Sequence, residues 1–244
     1  METTSLLFML ILFGVAFLYS SVGHGGASGY LALMAIFSFA PAFMKPTALM
    51  LNIFVSAIAF IQFYRGKHFQ WKLFLPLALT SVPAAFIGGL LVIDGNIYKQ
   101  ILGFLLLLPI ARFLFFNKIK VEEKKPYSNI GLLLMGAGIG LLSGMIGIGG
   151  GIVLAPILLL LHWADQKQTA AICALFIFVN SASGLAGQLT KGISFTPEMF
   201  SYVLIAAMGG TLGAYYGSLR FNQQVLKHIL ASVLMIACAK LLLV

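Results

Sequence analysis

Apolar runs dominate the chain, separated by only a few polar residues at a time. They fall at 5–20, 28–43, 46–64, 73–93, 99–116, 128–145, 151–162, 168–190, 198–219 and 224–244. A helix needs about 20 apolar residues to cross the hydrocarbon core of a bilayer, and most of these runs can span. Two are short, 28–43 and 151–162, and each directly follows a glycine-rich stretch. Short, Gly-interrupted segments at matching places in two halves point to a transporter binding site. The pattern predicts an all-α polytopic membrane bundle with broken helices at its centre.

The charged stretch Asn117–Pro126 is the one clear linker. It divides the chain into a first transmembrane repeat (1–116), a basic linker (117–126) and a second repeat (127–244). Ser21-Val22-Gly23-His24-Gly25-Gly26-Ala27 aligns with Met145-Ile146-Gly147-Ile148-Gly149-Gly150-Gly151. Asn52 follows Gly26 by 26 residues, and Asn180 follows Gly150 by 30. Arg65-Gly66-Lys67 with Phe69 matches Lys191-Gly192-Ile193 with Phe195, and Lys99-Gln100-Ile101-Leu102 matches Lys227-His228-Ile229-Leu230. Four pairs in one order make an internal duplication the simplest reading.

With about five segments per half, the second copy must insert upside down. A cytoplasmic linker puts Arg65, Lys67, Lys72, Arg112, Lys118, Lys120, Lys124, Lys125, Lys167, Arg220 and Lys227 inside. Only Lys45, Lys99, Lys191 and Lys240 then lie outside. Eleven against four satisfies the positive-inside rule with both termini outside. Two inverted-topology repeats, with Gly-broken hairpins at the centre, are expected.

Composition supports the membrane class. The chain is 61% hydrophobic and 9% charged, against about 25% charged residues in a soluble domain. The net charge of +9 reports orientation rather than a nucleic-acid partner. The first run, Leu6 to Tyr19, lacks a basic flank and a clean cleavage site, so it reads as retained structure rather than a signal peptide. Cys173 and Cys238 sit in apolar runs without metal-ligand spacing and are expected to be small core residues.

The candidate chemistry lies in the two glycine-rich stretches. Gly23, Gly25 and Gly26 can break a helix that restarts near Ala27-Ser28, and Gly147, Gly149, Gly150 and Gly151 can do the same in the second half. A restarted helix presents free N–H groups and a positive dipole end, which bind an anion without a basic side chain. Tight helix packing is the alternative use of such glycines, but packing does not need three in a row. Asn52 and Ser56 lie one turn apart on one helix face, and Asn180 recurs with Ser181 and Ser183 beside it. Amides in hydrocarbon need partners, so these face the interior, and Asn52, Ser56, Asn180 and Ser183 are expected to add donors.

His24 is the one titratable residue within a turn, and it could pair with the anion or take a coupling proton. Ile148 stands in its place in the second copy. His68, His162 and His228 lie near segment ends. Asp and Glu occur only at 2, 94, 122, 123, 165 and 198, all at segment ends or in loops. That argues against a divalent cation as substrate. No HExxH, CxxC, GxSxG or P-loop is present, so no enzyme is expected, no metal site and no cofactor.

Gly147-Ile148-Gly149-Gly150-Gly151 followed by Pro156 resembles the GxGGGxxxxP signature of the TauE/SafE sulfite exporter family. The Arg65-Gly66 and Lys191-Gly192 turns look like its second repeated feature. The likeness covers about residues 10–243 and implies an inverted-repeat secondary transporter in the bacterial inner membrane. It implies export of a small sulfur-containing or organic anion, such as sulfite, sulfoacetate or a related sulfonate. The first copy departs from the signature, with Ala27 at the third consecutive glycine and no Pro five residues on. An anion channel using the same turns without a coupled cycle is the alternative. The expected partners are the small anion and the lipid bilayer, with a homodimer left open and H+ or Na+ as candidate coupling ions.

Overall fold

A computed structural model describes residues 2–21, 26–115, 125–193, 195–217 and 223–243. Among them are ten helices and no strand: α1 (Glu2–Ser21), α2 (Ala27–Ile36), α3 (Pro41–Arg65), α4 (Trp71–Leu90), α5 (Gly95–Phe115), α6 (Asn129–Ile146), α7 (Gly151–Leu160), α8 (Gln166–Leu189), α9 (Pro197–Gly217) and α10 (Gln223–Leu243). Most of the linker, at 117–124, lies outside the described residues, as do Gly23, His24 and Gly25 of the first turn. The chain is an all-α, polytopic membrane bundle. Among the described residues, α3, α4, α6 and α8 are each long and apolar enough to cross a bilayer.

Each apolar run holds one helix, but several ends move. The run 28–43 does not continue as helix: α2 stops at Ile36, and α3 starts at Pro41 rather than at 46. Ser38 takes a left-handed φ of 60°, and Phe39 N–H donates back to Met34 O, closing α2. Pro41 disfavours helix in the residue before it, and Ala40 is extended at φ −66°, ψ 141°. Helix α5 starts four residues before the expected 99, because the Asp94 carboxylate accepts from Asn96 N at 2.8 Å and caps it. Asp165 and Gln168 cap α8 reciprocally, each side chain accepting from the other's backbone N–H.

The radial distribution of polarity suits lipid. Leu79, Phe104, Leu134 and Leu204 are exposed, while Asn52, Ser56, Asn180 and Ser181 are fully buried. An apolar exterior over a polar interior is stable where the solvent is hydrocarbon. Aromatic rings cluster at both ends of the bundle. Phe60, Tyr64, Phe69, Trp71 and Phe74 gather about the α3–α4 turn, and Phe8, Phe37, Phe39, Phe43 and Tyr202 about the α2–α3 turn.

Glycines let helix backbones touch. On α6, Gly136, Gly140 and Gly144 lie against the Leu77, Ser81 and Ala85 carbonyls of α4 in the same order, so the two helices run parallel. Gly209 and Gly213 of α9 meet Phe13 and Phe17 of α1 in the same way. Such small-xxx-small faces drive helix association in lipid through close van der Waals contact. Thr80 Oγ1 donates to Leu133 O at 2.7 Å and Ser183 Oγ to Val82 O at 2.6 Å, fastening α4 to α6 and α8. Helix α3 packs on α8 in opposite order, with Leu49 beside Gly184 and Asn52 level with Ser181. Further contacts join α5 to α10, α4 to α8, α3 to α9, α2 to α10 and α5 to α7.

Two basic side chains close helix C-termini. Lys240 Nζ donates to Ser38 Oγ at 2.7 Å and to Ile36 O at 2.6 Å, at the end of α2. Lys45 Nζ lies 3.3–3.4 Å from the Gly88, Gly89 and Leu91 carbonyls at the end of α4. A cation there satisfies orphan carbonyls and complements the helix dipole. Cys173 and Cys238 are both buried and are not joined in a disulfide.

Candidate functional site

The break between α6 and α7 is the best-defined feature of the interior. Helix α6 ends at Ile146, and Gly147 turns left-handed at φ 91° with its N–H on Ser143 O at 2.8 Å. Gly149 and Gly150 follow at φ 69° and 79°, a region that costs an L-residue with a side chain about 1–2 kcal/mol. Gly150 then opens α7, its carbonyl accepting from Val153 N and Leu154 N. No side chain caps the first turn of α7. Residues 146–151 are all buried, which non-helical backbone in a membrane requires.

Other helices satisfy the carbonyls exposed by this break. Tyr98 of α5 donates from its hydroxyl to Ile146 O at 2.9 Å, and Asn52 of α3 donates from Nδ2 to Gly147 O at 3.2 Å. A methyl group built on Gly149 would lie 3.2 Å from Asn52 Nδ2, 3.0 Å from Ser181 Oγ and 2.7 Å from Ile177 Cγ2. The turn is thus enclosed by α3 from one half of the chain and α8 from the other. Asn52→Leu is expected to strand Gly147 O without its donor and to lower stability by about 1–3 kcal/mol. Thermal unfolding in detergent measures this; an unchanged melting temperature would mean that the bridge contributes nothing.

The first break is described only from Gly26 onward. Gly26 is left-handed at φ 74°, and α2 begins at Ala27 with no side-chain cap. A methyl at Gly26 would overlap the Tyr30 hydroxyl. Ser28 is buried, its hydroxyl 2.8 Å from that of Tyr19.

The expected polar residues divide by environment. Asn52, Ser56, Asn180 and Ser181 are fully buried, and the hydroxyls of Ser56 and Ser181 have no partner among the described residues. Ser183 instead directs its hydroxyl to Val82 O of α4. Ser181, not Ser183, stands beside Gly149. Asn180 Nδ2 donates to Phe176 O of its own helix at 2.8 Å.

For both asparagines the bonded acceptor is a backbone carbonyl, which can only accept. The amide nitrogen must therefore face it, and the orientation of each amide follows. The Oδ1 atoms of Asn52 and Asn180 are left buried without a donor. Tyr98 and Lys45 carried no signal in the sequence: one sits in the first turn of an apolar helix, the other among apparent surface lysines. Only their spatial approach to helix ends reveals them.

Among the described residues no group of His, Cys, Asp and Glu could hold a metal ion. An apolar exterior and, among the described residues, ten helices around a buried, helix-broken polar centre are the features of a polytopic membrane protein whose interior suits a transporter.

Comparison with known proteins agrees with that class. The family model described as "Sulfite exporter TauE/SafE" matches residues 8–241, and the chain belongs to this family. It is 35% identical to the probable membrane transporter protein y4hK of Sinorhizobium fredii, over 99% of this chain and 100% of that one. A probable membrane transporter protein of Methanocaldococcus jannaschii is 30% identical over 79% of this chain and 76% of its own length. The probable membrane transporter protein YjnA of Bacillus subtilis is 27% identical over 96% and 98%. No solved structure matches at a significant level.

Proposed function

We propose that the chain is a secondary transporter that exports a small sulfur-containing or organic anion across the bacterial inner membrane by alternating access. Sulfite, sulfoacetate and related sulfonates are the candidate cargo, in keeping with the "Sulfite exporter" description of the family. The carrying observation is the uncapped first turn of α7, reached through two left-handed glycines in the buried stretch 146–151. Its N–H groups and positive dipole end attract an anion. Gly147, Gly149, Gly150 and Gly151 form this half of the site. Gly23, His24, Gly25, Gly26, Ala27 and Ser28 form its counterpart.

Helix packing supports two inverted repeats, 1–116 and 127–244. Exchanging α1–α5 for α6–α10 in order converts the α4–α6 pair into α9–α1, and α4–α8 into α9–α3. The α3–α8 and α5–α10 pairs map onto themselves. The α3–α8 pair runs antiparallel, so the relating axis lies across the helices, in the membrane plane. That is the geometry of inverted-topology transporters.

Each repeat pairs a long helix with a 10-residue one. Phe8 of α1 packs on Phe37 beyond the end of α2, with ring centroids 5.3 Å apart. Lys125 N donates to His162 O at 3.0 Å, beside the end of α7. Ten helical residues rise about 15 Å, half the roughly 30 Å hydrocarbon core, so both turns fall near the midplane. The parallel α4–α6 pair puts loop 65–72 on the linker side, in keeping with a cytoplasmic linker and both termini outside.

Purified protein in liposomes tests the reading. Saturable efflux of sulfite or a sulfonate, accelerated by the same anion on the far side, is expected. Flux without such trans-stimulation would favour the channel. No flux with any small anion would remove the transport role.

A further inference from the structure

We infer that the turn at Gly149 also holds a monovalent cation, sodium, beside the anion; this rests on the anion-carrier reading and names the ion that neutralises its site. Asn52 presents a bare carbonyl oxygen, because its amide nitrogen is committed to Gly147 O at 3.2 Å. Asn52 Oδ1, Ser181 Oγ and Ser56 Oγ are all fully buried and have no partner among the described residues. A Cβ built on Gly149 would lie 3.0 Å from Ser181 Oγ and 3.2 Å from Asn52 Nδ2, so both side chains border the turn. Ser56 lies one turn further along the face of α3 that carries Asn52. Leaving such groups unsatisfied costs about 1–3 kcal/mol each, so Asn52 and Ser181 beside an unwound backbone, with Ser56 one turn away, point to a ligand.

The chemistry of that ligand follows from the oxygens. A bare amide carbonyl repels an anion, so Asn52 Oδ1 and the anion cannot be direct neighbours. Neutral amide, hydroxyl and backbone oxygens at a helix break match sodium, which transporters hold in this way. A divalent cation needs carboxylates, and among the described residues Asp94, Asp165 and Glu198 all lie at helix starts. Proton binding needs a titratable group, and neither amide nor hydroxyl supplies one.

A basic side chain that borders the turn is directed away from it. Lys45 packs its backbone on Gly147, yet its ammonium is held by the carbonyls at the end of α4. An anion at α7 would enter low dielectric without a neutralising side chain among the described residues, at a large desolvation cost. Sodium alongside neutralises the anion within the site.

The test compares purified protein in sodium, potassium and choline chloride, then repeats it with Ser181→Ala and Ser56→Ala. Sodium alone should raise the melting temperature of the unaltered protein by about 3 °C or more. Each alanine variant should lose most of that rise while melting no lower in potassium, since neither hydroxyl makes a hydrogen bond to lose. Anion efflux should fall at least tenfold when choline replaces sodium. Equal melting in all three salts, as buried water filling the site would give, overturns the inference. So does a sodium response kept intact by both variants. Efflux indifferent to sodium would sink the coupling and leave the anion carrier standing. A sodium response without efflux of any anion would do the reverse.

Discussion

Gly149→Val is expected to abolish anion transport while the protein still inserts and assembles in the membrane. Two effects add at this position. The native φ of 69° lies where a β-branched residue is strongly disfavoured. The new Cβ would also sit 2.7 Å from Ile177 Cγ2 and 3.0 Å from Ser181 Oγ, inside the space assigned to the ligands. Strain of about 1–3 kcal/mol is tolerable in a folded protein, but the turn can relieve it only by moving the first N–H groups of α7. Gly192→Val separates the two effects. Gly192 is left-handed at φ 77°, yet nothing lies within 4 Å of its Cβ position, so this variant should pay the strain and keep its flux. Efflux of a sulfonate from liposomes, normalised to inserted protein, is the measurement. Normal flux through Gly149→Val would remove the turn from the mechanism.

Gly144→Leu is expected to have a still larger effect, on assembly rather than transport. Its Cβ would overlap the Ala85 carbonyl oxygen and lie 2.7 Å from Ala85 C and 2.9 Å from Gly89 N. These are backbone atoms of α4, which no rotamer change can move aside. Overpacking typically costs about 1–3 kcal/mol and more when rigid backbone must shift. Here α4, α6 and α8 meet, and a Cβ built on Gly184 would fall 3.0 Å from Gly144 Cα. Gly138→Leu on the same helix is the control, since its Cβ position is open and the residue is exposed. Size-exclusion profiles in mild detergent should show aggregate or no protein for Gly144→Leu and a single normal peak for Gly138→Leu. Matching peaks would show that the α4–α6 contact is not needed for assembly.

Much of the fold was legible because lipid enforces a simple code. Ten apolar runs became ten helices, and the Gly-rich stretch before residue 151 became a break with α7 starting at Gly151. The helix ends were less legible. Asp94 as a cap of α5 and the reversal at Ser38 depend on local hydrogen bonds that apolar length does not register. The site was legible in part. Asn52 stood out as an amide in an apolar helix, but its use as a donor to Gly147 O reverses what it offers a ligand. Ser181 and Ser183 are indistinguishable by composition. About 200° of helical rotation separates them, turning one to Gly149 and the other to α4.

By itself the sequence determined the solvent, the helices seen among the described residues and the place where the backbone leaves the helix before Gly151. Hydrophobic length and runs of glycine are local properties, and the cost of an unpaired peptide group in hydrocarbon makes them decisive. Only the tertiary structure decided which helices run side by side, and which side chains close the broken ends. Asn52 meets Gly147 across 95 residues of chain, and Lys240 meets Ile36 across 204. Such meetings depend on how glycine faces let helices approach, a property of pairs of surfaces that no single segment carries.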